Sequence, residues 1–83
     1  MAARASVKLC YYAAIREAAG RSEECLETDA RTAADLYDEV AARYGFPFPR
    51  SSLRVAVNER VEPWSTEVHA GDTVVFLAPF AGG

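Results

Sequence analysis

The sequence predicts an α+β domain: a small mixed sheet wrapped around one long helix, with a short second helix beside it. Three observations predict this. One strongly amphipathic helical stretch lies in the middle of the chain, after Thr32. Strand-forming runs flank it on both sides, Val7–Tyr12 and Ser22–Thr28 before it, Leu53–Asn58 and Thr73–Ala78 after it. The last of these runs is apolar at consecutive positions, the pattern of a strand covered on both faces. A chain of 83 residues has room for one domain and one small core. The expected organisation is a single domain over 1–83, with residues 79–83 as a flexible tail.

The first run, Val7-Lys8-Leu9-Cys10-Tyr11-Tyr12, is rich in strand formers, and Val7, Leu9 and Tyr11 share one face. A short helix over Ala13–Ala19 follows, with Ile15, Ala18 and Ala19 as its buried positions and Gly20 as its C-terminal cap. Ser22–Thr28 is a more polar strand, with Glu23, Glu24 and Glu27 toward water. That polarity suits an exposed edge, where charge discourages pairing with other chains.

Thr32 is placed to cap the long helix, with Asp35 three residues on as a capping-box variant. Ala33, Leu36, Tyr37, Val40, Ala41 and Tyr44 recur at three- and four-residue steps and form one apolar stripe. Glu39 and Arg43 are spaced to pair on the wet side. Gly45 ends the helix, and Phe46-Pro47-Phe48-Pro49 cannot continue it.

Leu53–Asn58 is the third strand, with Leu53, Val55 and Val57 inward. Asn58-Glu59-Arg60 turns the chain into a short return strand, Val61-Glu62, which Pro63 ends. Val68 and a Gly71-Asp72 turn lead into the last strand. A helix crossing between two strands sets them parallel through a right-handed connection. The economical arrangement places the first and last strands side by side in the centre, which is the β-grasp, or ubiquitin-like, architecture. The long helix covers one face of the sheet, so the other face of the last strand must meet the short helix, a loop or another protein.

Composition narrows the function. The chain is 51% hydrophobic and 25% charged, with a formal net charge of −3. This balance argues against nucleic acid as the main partner, since phosphate binding needs clustered Lys and Arg. No apolar run reaches the roughly 20 residues of a membrane span. Met1-Ala2-Ala3-Arg4 lacks the apolar segment of a secretory signal, so a cytoplasmic protein is expected. Cys10 and Cys25 fit no zinc spacing and are too few for a disulfide framework. Packing as small strand residues is their expected role. His69, beside Ala70-Gly71-Asp72, is expected in a solvated loop. No nucleophile–base set and no metal cluster can be assembled.

The chemistry-bearing feature is the terminus, Ala78-Pro79-Phe80-Ala81-Gly82-Gly83. Two glycines put a carboxylate on a backbone stem without side chains, which can thread a narrow channel in another protein. The plain alternative is an ordinary terminal tail. However, solvated tails are usually polar, and this one carries no charged residue after Asp72.

Taken together, these stretches resemble the molybdopterin synthase small subunits, sulfur carriers of the ubiquitin-like ThiS/MoaD family. Val7–Gly20, VKLCYYAAIREAAG, is similar to the family's opening strand and short helix, with its Arg-Glu pair and closing glycine. Thr32–Tyr44 is similar to its amphipathic helix and Ala56-Val57-Asn58 to its third strand and turn. Gly71-Asp72-Thr73-Val74 and Pro79-x-x-Gly82-Gly83 are similar to its last strand and tail. The likeness spans nearly the whole chain, with Phe46–Ser52 as the gap-prone region. The Gly-Asp turn and Gly-Gly tail are shared by all sulfur carriers of this class. The opening strand and helix are more specific, since the thiamin-pathway carrier is shorter there. Ala78 departs from the family, which often has a second proline at that place, and Phe80 is bulkier than the usual Val or Ile.

The resemblance implies a cycle at Gly83. A ubiquitin-activating-type adenylyltransferase joins its carboxylate to AMP using ATP. A sulfur donor, such as a cysteine desulfurase or rhodanese, then displaces AMP and leaves a thiocarboxylate. The sulfur goes to cyclic pyranopterin monophosphate inside the large subunit of molybdopterin synthase, which holds the catalytic side chains. No cofactor is bound stably, and the sulfur is carried covalently. Gly82 and Ala81 would thread the partner's channel, with Pro79 fixing the exit direction. Phe80, Leu77 and Val75 are the docking candidates, although Val75 and Leu77 read equally well as the second half of the core. Two other readings stay open: a carrier for another pathway, such as thiamin or tRNA thiolation, and a ubiquitin-like binding module or modifier that needs no sulfur.

Overall fold

The structure, a computed structural model, describes residues 4–78. Its elements are β1 (Ala5–Cys10), α1 (Ala13–Ala19), β2 (Glu23–Thr28), α2 (Ala33–Tyr44), a 3-10 turn (Arg50–Ser52), β3 (Arg54–Val57), β4 (Arg60–Glu62) and β5 (Thr73–Leu77). The five strands form one sheet in the order β2-β1-β5-β3-β4. β1 and β5 are the parallel pair, in the register Lys8↔Thr73, Leu9↔Val74 and Cys10↔Val75. The other neighbours are antiparallel. The expected β-grasp is therefore found, with first and last strands adjacent and the polar strand β2 at an edge.

α2 forms where its periodicity places it. Thr32 Oγ1 accepts a hydrogen bond from the Asp35 amide at 3.2 Å, satisfying one of the free donors at the helix start. Gly20 and Gly45 close the two helices at φ +76° and +68°, where a side chain would be strained. The helix lays Ala33, Leu36, Tyr37 and Val40 on the sheet. Opposite lie Val7, Leu9, Leu26, Val55, Val57, Val74 and Phe76, and Ile15 of α1 joins the same cluster. Each buried Val, Leu, Ile or Phe side chain among them contributes about 1.5–3 kcal/mol.

The end of the sheet away from the chain terminus is held by polar groups. Gly71 turns at φ +89°. The Asp72 carboxylate then accepts from Asn58 Nδ2 at 2.9 Å and from the His69 amide at 2.8 Å, and the Thr73 amide donates to Asn58 Oδ1 at 3.0 Å. The Asn and Gly-Asp motifs of the sequence thus tie the β3–β4 turn to the start of β5.

Several expectations are corrected. β1 ends at Cys10, two residues early, because its pairing with β5 stops at Cys10↔Val75. Ala18 and Ala19 are only half-buried; Ile15 alone of α1 is buried. Glu24 does not face water. Its carboxylate accepts from Tyr11 OH at 2.5 Å and Tyr44 OH at 2.7 Å, and its side chain is 8% exposed. Glu39 accepts from the buried Thr28 hydroxyl at 2.5 Å, and among the described residues it makes no ion pair with Arg43. Cys25 is exposed and does not pack in the core, while Cys10 is half-buried. The 3-10 turn at Arg50–Ser52 carries no periodic sequence signal.

Candidate functional site

The alternation of β5 decides what the terminus is attached to. Val74 and Phe76 point into the core, and Val75 and Leu77 lie half-buried on the opposite face. Among the described residues no helix covers that face, since α2 and Ile15 of α1 both belong to the core on the other side. The two residues read as either core or docking surface are thus on the open face. Pro79, Phe80, Ala81, Gly82 and Gly83 lie outside the described residues.

Register assembles the open face. Across the strands run Glu23, Cys10, Val75, Ala56 and Val61, each directly opposite the next. Leu77 lies opposite Arg54 one step nearer the terminus. Tyr12 continues β1 in extended conformation, at φ −132° and ψ 151°, and its parity with Lys8 and Cys10 assigns it to the same face. Tyr12 is 58% exposed and Val61 59%, values that matter because these are the large apolar residues most open to water. The middle of the tail-proximal half is therefore apolar, with the exposed Glu23 and Arg54 at its margins. The distal half, with Ser6, Lys8, Cys25 and Glu27, is polar.

Sequence reasoning missed Tyr12 and Val61. Tyr12 follows Tyr11, which is fully buried, and only strand parity separates the two. Val61 stands in a three-residue strand, too short for a periodic signal.

Beside the base of the terminus is a groove of about 680 Å³, lined by Leu53, Arg54, Val61, Trp64, Leu77 and Ala78 among others. Trp64 stacks on Phe76, with ring centroids 6.1 Å apart, and the Arg50 guanidinium lies 5.9 Å from the Trp64 ring. The groove floor is thus continuous with the core.

Among the described residues the ionisable groups assemble no nucleophile–base set. The most perturbed ones belong to the Glu24 network. Burial pushes the Tyr11 hydroxyl up, and its hydrogen bond to the Glu24 carboxylate adds to the shift. Tyr44 is raised by the same two causes. Lys8 is raised by its hydrogen bond to Glu23. His69 sits exposed, 3.6 Å from Glu67, as the loop reading expects. Among the described residues, no group of three or more His, Cys, Asp and Glu could hold a metal, and no helix is long and apolar enough to cross a membrane. What the described residues offer is a sheet face with half-buried and exposed apolar side chains beside the end of β5.

Comparisons with known proteins agree with this geometry. A family model described as the ThiS family matches residues 9–83. Among solved structures, the chain is similar to a molybdopterin converting factor, subunit 1, from Pyrococcus furiosus. The two are 28% identical with a TM-score of 0.76, covering 92% of this chain and 99% of that one. It is also similar to the small archaeal modifier protein 1 of Methanosarcina acetivorans, at 22% identity and a TM-score of 0.75, covering 96% and 98% of the two chains. The corresponding modifier of Haloferax volcanii is 20% identical with a TM-score of 0.78, covering 94% and 99%. At such identities the two modifiers show the fold alone. No curated protein matches the sequence.

Proposed function

The chain belongs to the ThiS family, a family of ubiquitin-like β-grasp sulfur carriers, and on that premise we propose that it carries sulfur on Gly83 for molybdopterin synthesis. The observation that carries this reading is the continuity of the family match through Gly83, on a fold whose described residues offer a docking face and no reaction centre of their own. The 28% identity with a molybdopterin converting factor subunit supports molybdopterin as the pathway.

The chemistry follows from the group available. A carboxylate is a poor electrophile. Joining it to AMP, with release of pyrophosphate from ATP, supplies a leaving group. A sulfide donor then attacks the acyl carbon, AMP departs, and a thiocarboxylate remains; with a persulfide donor the first product is an acyl disulfide, and a second thiol reduces its S–S bond to release the thiocarboxylate. Its sulfur carries the charge at neutral pH and is a soft nucleophile. In the proposed last step the sulfur displaces an oxygen substituent on a carbon of cyclic pyranopterin monophosphate inside the large subunit, and water then cleaves the acyl–sulfur bond, leaving the sulfur on the pterin and returning the Gly83 carboxylate. Gly82 and Ala81 would let the stem enter a narrow channel. Val75, Leu77, Tyr12 and Val61 would hold the two surfaces together.

Reconstitution tests the pathway. Thiocarboxylated chain, cyclic pyranopterin monophosphate and the large subunit from the same cell are expected to yield molybdopterin. A chain that instead supplies sulfur to thiazole synthase or a tRNA-thiolating enzyme would contradict the molybdopterin assignment and leave the carrier chemistry standing. Phe80 is assigned as an interface anchor beyond Pro79, since aromatic residues often dominate such contacts. Phe80→Ala is expected to weaken binding to the large subunit about ten-fold without lowering the melting temperature. Calorimetric titration checks this, and unchanged affinity removes Phe80 from the interface.

A further inference from the structure

A block of reactive side chains lies at the β2 margin of the open sheet face. Lys8 is directly opposite Cys25, and Cys10 is directly opposite Glu23; strand parity puts all four on that face. Lys8 and Cys25 are exposed, and Cys10 is half-buried. The Lys8 ammonium reaches across the block to the Glu23 carboxylate at 3.0 Å, and the two thiols add to the upward shift that Glu23 gives it. Lys8 is also the only lysine in the chain, the other basic side chains being arginines, which stay charged and offer no free amine. An acyl donor thus finds one lysine amine, and it stands beside an exposed thiol. The two groups divide the work of accepting an acyl group. At neutral pH a lysine is almost wholly ammonium, and the pairing with Glu23 holds it there, so direct attack by Lys8 is slow. A cysteine is roughly a few per cent thiolate at that pH and strongly nucleophilic. An acyl group taken first by Cys25 starts about 5 Å, Cβ to Cβ, from the residue opposite. Holding two reactants together in this way raises their effective concentration by orders of magnitude.

The carrier reading supplies the donor, the acyl adenylate at Gly83, and geometry says which copy it comes from. Residues 79–83 span at most about 18 Å when fully extended. Cys25 lies two strands from β5, level with Thr73, which puts it roughly 20 Å from Ala78 by strand rise and spacing. A chain's own terminus falls short of its own Cys25, so the donor is a second copy. Resting on the carrier reading above, we propose that Cys25 and Lys8 form an acyl-acceptor site for the activated Gly83 of another copy of this chain. The Cys25 thiolate attacks the acyl carbon, the C–O bond to AMP breaks, and a thioester forms. Lys8, having given a proton to water, then attacks the thioester carbon. The C–S bond breaks, the thiolate leaves, and an amide joins Gly83 of one copy to Lys8 of the other. No oxidation or reduction is involved. Sulfide competes for the same acyl adenylate, so the linkage forms when sulfide is short.

The test is incubation of the chain with ATP and the activating enzyme of the same cell, in a phosphine reductant and without a sulfide source. The expected product has the mass of two chains less one water, and peptide mapping finds Gly83 joined to Lys8. Lys8→Arg should abolish the amide and leave a thioester that hydroxylamine cleaves. Cys25→Ser is expected to slow the linkage about ten-fold with pyrophosphate release unchanged, whereas Cys10→Ser should keep the wild-type rate. Pyrophosphate release without a linked product, linkage at any amine other than Lys8, or a wild-type rate in Cys25→Ser overturns the proposal, as does an equal loss in Cys10→Ser. No pyrophosphate release from the wild-type chain overturns the carrier reading as well.

Discussion

The carboxylate of Glu24 receives hydrogen bonds from two tyrosines that arrive from different elements, Tyr11 after β1 and Tyr44 at the end of α2. Arg21 adds an ion pair at 3.3 Å. Burial by itself would raise this carboxyl. The two hydroxyls and the charges of Arg21 and Arg43 outweigh it, and the group sits below the ordinary glutamate value of 4.5. A depressed carboxyl stabilises the fold fully above its unfolded value, and that stability is lost as pH falls through the folded one. Glu24→Gln is expected to cost about 2 kcal/mol at neutral pH. The gap to wild type should close as the pH is lowered below the ordinary glutamate value. Thermal melts of both proteins across the acid range check this, and a gap independent of pH would mean that charge is not what Glu24 contributes. This role was not legible in the sequence. Glu23, Glu24 and Glu27 look alike along β2, and Tyr44, the partner that sets Glu24 apart, is 20 residues away.

At the scale of the element, the β3–β4 hairpin turns through Asn58 and Glu59, both at positive φ, +52° and +73°. This is the type I′ arrangement, which suits asparagine first and glycine second. Asparagine is present; glycine is not. Glu59→Gly is expected to raise stability by roughly 0.5 kcal/mol, the relief of a left-handed residue less the entropy glycine adds to the unfolded chain. Denaturant midpoints at constant slope would show it, and a lower midpoint would refute the strain. β5 is the complementary case. Val74–Leu77 is apolar throughout, so the sequence marked the strand as central but could not say which residues met the helix. The fold decides it through the parallel register with β1, leaving Val75 and Leu77 on the open face. Val61→Glu, on that face and 59% exposed, should change stability by no more than about 0.5 kcal/mol while weakening partner binding. Loss of binding with a matching loss of melting temperature would make Val61 a packing residue.

For the whole molecule, the core runs from Val7 to Phe76. The work assigned to Gly83 is thus separated from what holds the domain together. The architecture was legible because its strongest signals, the α2 stripe, the helix-closing glycines and the apolar last strand, are local and agree with one another. The proposed docking face was half legible. Val75 and Leu77 could be named from one strand, but Tyr12, Val61 and Arg54 join them only through pairings between strands distant in sequence. The central claim is that the chain carries sulfur on its last residue, and intact mass tests it most directly. After incubation with ATP, a sulfide source and the activating enzyme of the same cell, the chain should gain the mass of one sulfur replacing one oxygen. The gain should vanish when Gly83 is deleted. An unchanged mass, with that enzyme competent on another carrier, would contradict sulfur carriage and leave a ubiquitin-like module that works through its open sheet face.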